Sequence, residues 1–115
     1  MAIARGDLVT IAVSGDYGKP RPALVVQDDA FETLDSVTVL RLTSDSRTSS
    51  LLRVPIAPKP ENGLRLASRI MIDKATTVPR DRLGERIGRV DAATMAAVDL
   101  ALARFLGLLE PFGSP

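Results

Sequence analysis

Periodicity changes once along this chain, at Asp91, and that change limits the folds open to it. Before Asp91, short apolar or β-branched runs alternate with turn signals; after it, apolar residues recur at helical spacing. Leu8-Val9-Thr10-Ile11-Ala12-Val13 is rich in β-branched residues and stops at Ser14-Gly15-Asp16-Tyr17-Gly18, a dense turn signal. Ala23-Leu24-Val25-Val26-Gln27 is too short for a helix and reads as a buried central strand. Residues 37–43 alternate as a third strand, with Val37, Val39, Arg41 and Thr43 on one face. Residues 51–56 form a fourth, and Pro55 demands that it lie at an edge or a strand end. Residues 68–73 form a fifth, which Thr76-Thr77-Val78 extends; residues 79–83 suit one helical turn and residues 86–90 a last strand. Asp91 suits a helix N-cap, and Met95, Val98, Leu102, Phe105, Leu106 and Leu109 mark a helix of about five turns that Pro111 ends. The expectation is a mainly β chain: one domain over 1–115, a small antiparallel β-barrel over about 5–90 and a C-terminal α-helix over about 91–109.

A chain of 115 residues buries about two-thirds of its unfolded surface, enough for a core without staples. The sequence has no cysteine and no histidine. That excludes disulfide frameworks, zinc fingers, thiol nucleophiles and imidazole bases or ligands together. No apolar run reaches the roughly 20 residues that span a bilayer, and the first residues lack the basic and apolar regions of a signal peptide. A cytoplasmic location without a membrane partner is expected. Of the 15 basic residues only Lys19, Lys59 and Lys74 are lysines; the other 12 are arginines. Arginine offers a planar fork that holds phosphate bidentately, so their positions matter more than the net charge of +1.

No glycine-rich phosphate loop, nucleophile elbow or metal-ligand spacing is present. Asp28-Asp29, the one adjacent carboxylate pair, reads as a solvated loop, and Arg5-Gly6-Asp7 as the turn into the first strand. What remains is Lys19-Pro20-Arg21-Pro22, where two prolines restrain the backbone on either side of one arginine. A hydroxyl pair, Thr43-Ser44, ends the third strand. If strands two and three are neighbours, that hydroxyl approaches the guanidinium.

The order and spacing of several segments resemble the MazF/PemK toxin family over nearly the whole chain. They are Arg5-Gly6-Asp7-Leu8-Val9, Gly18-Lys19-Pro20-Arg21-Pro22-Ala23-Leu24-Val25-Val26-Gln27, Leu42-Thr43-Ser44, Ile72-Asp73-Lys74-Ala75-Thr76-Thr77-Val78, Ile87-Gly88-Arg89-Val90 and Leu106-Gly107-Leu108. The resemblance implies an SH3-like barrel, a homodimer, and a toxin that cuts single-stranded RNA at short sequences without metal or other cofactor. It also implies a cognate antitoxin with an acidic, disordered C-terminal segment. The family's catalytic arginine falls on Arg21 and its catalytic hydroxyl on Thr43, with Ser44 as a neighbouring substitute. Lys19, Arg41, Arg47, Arg53 and Arg69, on or beside predicted strands, are candidate phosphate-positioning residues, and Tyr17 is placed to stack one base. Ser68-Arg69 stands where the family usually carries a polar pair with glutamine, and the loop over residues 14–19 is shorter than usual. Two other readings keep the fold. A gyrase-poisoning toxin of the CcdB kind depends on a tryptophan where this chain has Leu106, and a non-catalytic barrel serves as an interaction module.

Overall fold

The computed structural model describes residues 3–12, 19–45 and 51–109. Six strands form one antiparallel sheet: β1 (Asp7–Ile11), β2 (Arg21–Val25), β3 (Ser36–Thr43), β4 (Arg53–Ile56), β5 (Ser68–Pro79) and β6 (Leu83–Arg89), in the order β4-β5-β3-β2-β1-β6. One helix follows, α1 (Ala92–Phe105). The runs identified above become strands because both faces of the central ladder are buried. Leu8, Leu24, Leu40, Leu42, Ile70 and Ile72 pack on one face, together with Val98 of α1. Val9, Ile11, Ala23, Val25, Val37, Val39 and Val78 pack on the other. A strand buried on both sides reads as a continuous apolar run, as β2 does.

Pro55 lies on β4, which is an edge strand, where its missing N–H costs no ladder bond. The fifth strand runs unbroken from Ser68 to Pro79, joining residues 68–73 to the Thr76-Thr77-Val78 extension. It lies between β4 and β3: its first part pairs with β4 (Arg53↔Met71, Pro55↔Arg69) and with β3 (Leu42↔Ile70, Thr43↔Arg69), its last part with β3 alone (Leu40↔Ala75, Ser36↔Pro79), and the ladder to β3 breaks across Met71–Lys74. In that break the Ile72 amide donates to the Leu52 carbonyl at 2.9 Å.

The mainly antiparallel β architecture with a C-terminal helix is as expected, and among the described residues the sheet stays open rather than closing into a ladder-bonded barrel. Among the described residues the two edges, β4 and β6, share no ladder. The loop over 57–67 bridges that gap: the Arg89 amide donates to the Glu61 carbonyl at 2.8 Å. Helix α1 starts where Asp91 predicts, its carboxylate accepting from the Thr94 amide at 2.7 Å. It ends before Pro111, because Gly107 takes a φ of +72° and the amides of Gly107 and Leu108 turn back to the carbonyls of Arg104 and Ala103. Met95, Val98 and Leu102 face the core as expected, whereas Phe105, Leu106 and Leu109 are exposed. Among the described residues no helix is long and apolar enough to cross a membrane.

The Arg5-Gly6-Asp7 turn ties the sheet together. Gly6, at φ +96°, donates to Val25 at 2.9 Å and accepts from Val90 at 3.0 Å, joining the ends of β2 and β6. The Arg5 guanidinium bonds the Val26 carbonyl at 2.9 Å and pairs with Asp99 of α1. Asp7 is buried; its carboxylate accepts from the Ala4 amide (2.9 Å) and pairs with Arg86 (3.1 Å) and Arg89 (2.7 Å). Burial pushes this carboxyl up, but the Ala4 amide and the two guanidiniums outweigh it and hold the pKa below the ordinary 3.8. The bonds from Thr94 and the Lys59 ammonium hold Asp91 at about 2.

Replacing Asp7 with alanine removes the bonds from the Ala4 amide and from two partly exposed guanidiniums, so urea denaturation is expected to show a loss of about 1–3 kcal/mol. Both folded-state pKa values lie below the ordinary 3.8, so the stability these carboxylates supply is complete above about pH 4. It drains as pH falls towards about 2, the folded-state value of Asp91. Acid titration followed by circular dichroism should place the loss of structure in that window, and Asp7→Ala should move it to higher pH.

Candidate active site

Strand register brings the two leading residues into one row. β2 and β3 pair as Ala23↔Arg41, Leu24↔Leu40 and Val25↔Val39, and the same register carried one pleat further sets Arg21 across from Thr43. On its other side Thr43 pairs with Arg69 of β5. Directly opposed residues in an antiparallel ladder share a face with Cβ atoms about 5 Å apart. The Thr43 hydroxyl is therefore flanked across the sheet by two arginine positions, and it accepts from the Asp45 amide at 3.1 Å.

This row borders a cleft of about 610 Å³. Residues 20–22 of the β2 end and 41–44 of the β3 end form one wall, and residues 63–66 with Ile87 form the other. Consecutive residues of both strands line it, so it lies across the end of the ladder rather than on one face. Its described lining includes Arg21, Arg41 and Arg65 but no carboxylate. Such a cleft attracts anions, and an arginine fork can take two non-bridging oxygens of one phosphodiester at once. Among the described residues no group of three or more carboxylates gathers that could hold a metal ion.

The second wall is held close by glycine. A Cβ on Gly63, at φ +71°, would lie 2.0 Å from the Ile87 carbonyl oxygen, and one on Gly88 would lie 2.3 Å from Asn62 backbone. The 57–67 loop therefore lies directly on β6, and the Ile87-Gly88 pair makes that contact.

Of the candidate residues, Arg21, Arg41, Thr43, Ser44 and Ser68 line the cleft. Arg21 and Ser44 are exposed, whereas Ser68 is buried and donates to the Leu66 carbonyl at 3.0 Å. Arg69 lines an adjoining hollow, and Lys19 is exposed just ahead of β2. Arg53 is not brought to the site: it is drawn into an ion pair with Asp73 across the β4–β5 junction and bonds the Leu52 carbonyl at 3.0 Å. Burial raises the Asp73 pKa, but the Arg53 bond, a backbone amide bond and the charges of Arg53 and Lys74 together hold the carboxyl below its ordinary value. Tyr17 and Arg47 lie outside the described residues. Sequence reasoning missed Thr10, Arg65, Leu66 and Met71 of the lining. For Arg65 the available signal was an arginine just after the Pro58-to-Gly63 breaker cluster.

Residues 4–106 match the family model described as PemK-like, MazF-like toxin of type II toxin–antitoxin system. The chain belongs to that family. It is 49% identical over 105 residues to a protein of Mycolicibacterium smegmatis named probable endoribonuclease MazF, covering 90% of this chain and 96% of the relative. Among solved structures, an endoribonuclease in complex with its cognate antitoxin from a mycobacterial species superposes with a TM-score of 0.80 at 29% identity, covering 96% of this chain and 100% of that one. The MazF-mt6 toxin of Mycobacterium tuberculosis superposes at 0.76 with 25% identity, covering 90% and 99%. The MazF-like fold, a mainly antiparallel sheet with one C-terminal helix, is thus common to this chain and these toxins.

If the glycine contact sets the cleft wall, Gly88→Ala must lift the 57–67 loop off β6. A loss of about 3 kcal/mol by urea denaturation is expected, and an unchanged midpoint would contradict the close approach.

Proposed function

We propose that this MazF-like chain is a sequence-specific endoribonuclease that cuts single-stranded RNA without a metal ion. The observation that carries the reading is the row of Arg21 and Thr43 at the mouth of an arginine-lined cleft. The mycobacterial relatives named as endoribonucleases support it. The substrate's own 2′-hydroxyl attacks the adjacent phosphorus, the bond to the 5′-oxygen breaks, and a 2′,3′-cyclic phosphate and a 5′-hydroxyl result. Arg21, restrained by Pro20 and Pro22, grips the non-bridging oxygens as charge builds on them, and Thr43 donates to the same phosphate. A guanidinium is a poor base at neutral pH but can serve as an acid towards the departing oxygen. The 2′-proton passes to a base that is Arg21 itself, a carboxylate or water. Lys19, Arg41 and Arg69 extend the cationic track along which single-stranded RNA lies with its bases splayed.

Two protein partners belong to this reading. The antitoxin seen with the mycobacterial relative has here a counterpart whose acidic, disordered C-terminal segment competes with RNA for the arginine-lined cleft. A second copy of this chain covers the outer side of α1, where Leu100, Phe105 and Leu106 are exposed. The gyrase-poison alternative lacks its tryptophan, since the sequence contains none.

With purified protein, a long unstructured RNA and EDTA, a few discrete cuts ending in cyclic phosphate are expected. Arg21→Ala and Thr43→Ala should each slow single-turnover cutting by about 10²–10³, with thermal unfolding nearly unchanged for the exposed Arg21. RNA carrying a 2′-deoxy sugar at the cut should resist. Cutting that survives Arg21→Ala, or that needs a divalent ion, would contradict the mechanism.

A further inference from the structure

The arginine-lined cleft and the hollow beside it are two halves of one groove. Ser44, Leu66 and Ser68 line both, the first about 610 Å³ and the second about 760 Å³. Leu66 stands on their shared boundary with 63% of its surface exposed. A large apolar side chain therefore projects between two open spaces.

The segment that carries Leu66 is stiff, and its stiffness comes from one buried amide. Asn62 is 3% exposed. Its Oδ1 accepts from the amides of Lys59 (3.1 Å) and Leu64 (3.0 Å), while its Nδ2 donates to the Ala57 carbonyl at 2.9 Å. Its own backbone lies against Gly88 of β6. Residues 57–64 are therefore closed on themselves and fastened to the sheet. Arg65, next in line, presents an exposed side chain on the cleft side of Leu66.

We infer that residues 64–66 form a ridge dividing the groove into two nucleotide subsites. Arg65 holds a backbone phosphate on the cleft side. Leu66 stands between two successive bases, one seated in the cleft and the next in the hollow. Asn62 is the positioning residue. The inference rests on the endoribonuclease reading and adds where base preference is set. Single-stranded RNA is the occupant because Arg21 and Arg65 stand exposed in the described lining of the cleft, which includes no carboxylate, and such a surface suits a polyanion. An apolar wedge between bases unstacks them and lets each be read in its own pocket.

The test maps cut sites by 5′-end sequencing on one long unstructured RNA, and measures RNA binding against salt, for the full chain. Arg65→Ala should weaken binding at all sites alike and lower the slope of log K against log salt by about 1, with Arg65→Lys restoring the slope. Leu66→Ala should leave the slope unchanged and lose at least about fivefold of the preference at a position beside the cut. Asn62→Ala should do both, because residues 57–64 lose the amide that closes them. Wild-type protein that cuts RNA while Arg65→Ala and Leu66→Ala keep its slope and site profile overturns the ridge and leaves the endoribonuclease reading standing. A Leu66→Ala protein with an altered oligomeric state and an unaltered site profile assigns the ridge to a subunit contact and overturns it too. Wild-type protein that cuts nothing overturns both readings.

Discussion

The register of β2 against β3 is fixed from both faces of the sheet, and the site follows from it. Leu24 and Leu40 are committed to the helix-side core, Ala23, Val25 and Val39 to the opposite one. Slipping β2 by one residue would send each set into the other's environment and would pull buried Leu24 out of its packing. Each fully buried aliphatic side chain contributes about 1.5–3 kcal/mol, so a slip costs several such terms together. Register is thereby specified far more strongly than any polar contact at the strand ends could specify it. Arg21 and Thr43 inherit their opposition from this packing, not from attraction for each other.

Closure is handled differently. A ladder between β4 and β6 would have made the cleft region continuous sheet, with both edges consumed. Instead the 57–67 loop crosses the gap, held by Asn62 within and by Gly88 beneath. The cleft is the space left between that loop and the ends of β2 and β3. Three described carboxylates are held away from it: Asp7 is taken by Arg86 and Arg89, Asp73 by Arg53 and Asp91 by Lys59 and the helix amides. These pairs neutralise arginines that would otherwise add to the cleft's field, and they leave Arg21 and Arg65 exposed on its rim.

What could be read in the sequence was what periodicity controls. The apolar run at Ala23 and the alternation from Val37 specify burial directly, and Asp91 announced the helix start because a cap needs only local chemistry. Length was harder. β5 continues through Lys74 and Ala75 because β3 pairs with it on both sides of the irregularity there, a non-local constraint, and α1 stops at Gly107 because a left-handed residue ends it before Pro111 can. At the site, Arg21 was legible from its prolines and Thr43 from its place at a strand end. Arg53 looked equivalent to Arg41 by strand position, yet Asp73, twenty residues on, claims it. Arg65 had only its place after the Pro58-to-Gly63 breaker cluster as a signal and Leu66 had none, since their placement depends on Asn62 folding the loop back onto Gly88.

The central claim is that Arg21 and Thr43 act on one phosphate as a unit. Single-turnover cutting rates for Arg21→Ala, Thr43→Ala and the double variant test it most directly. Groups that act together lose their effect together, so the double variant is expected to be about as slow as the slower single one. A double variant whose loss equals the product of the two single losses would show two independent contributions, and the shared row would then have no mechanistic meaning.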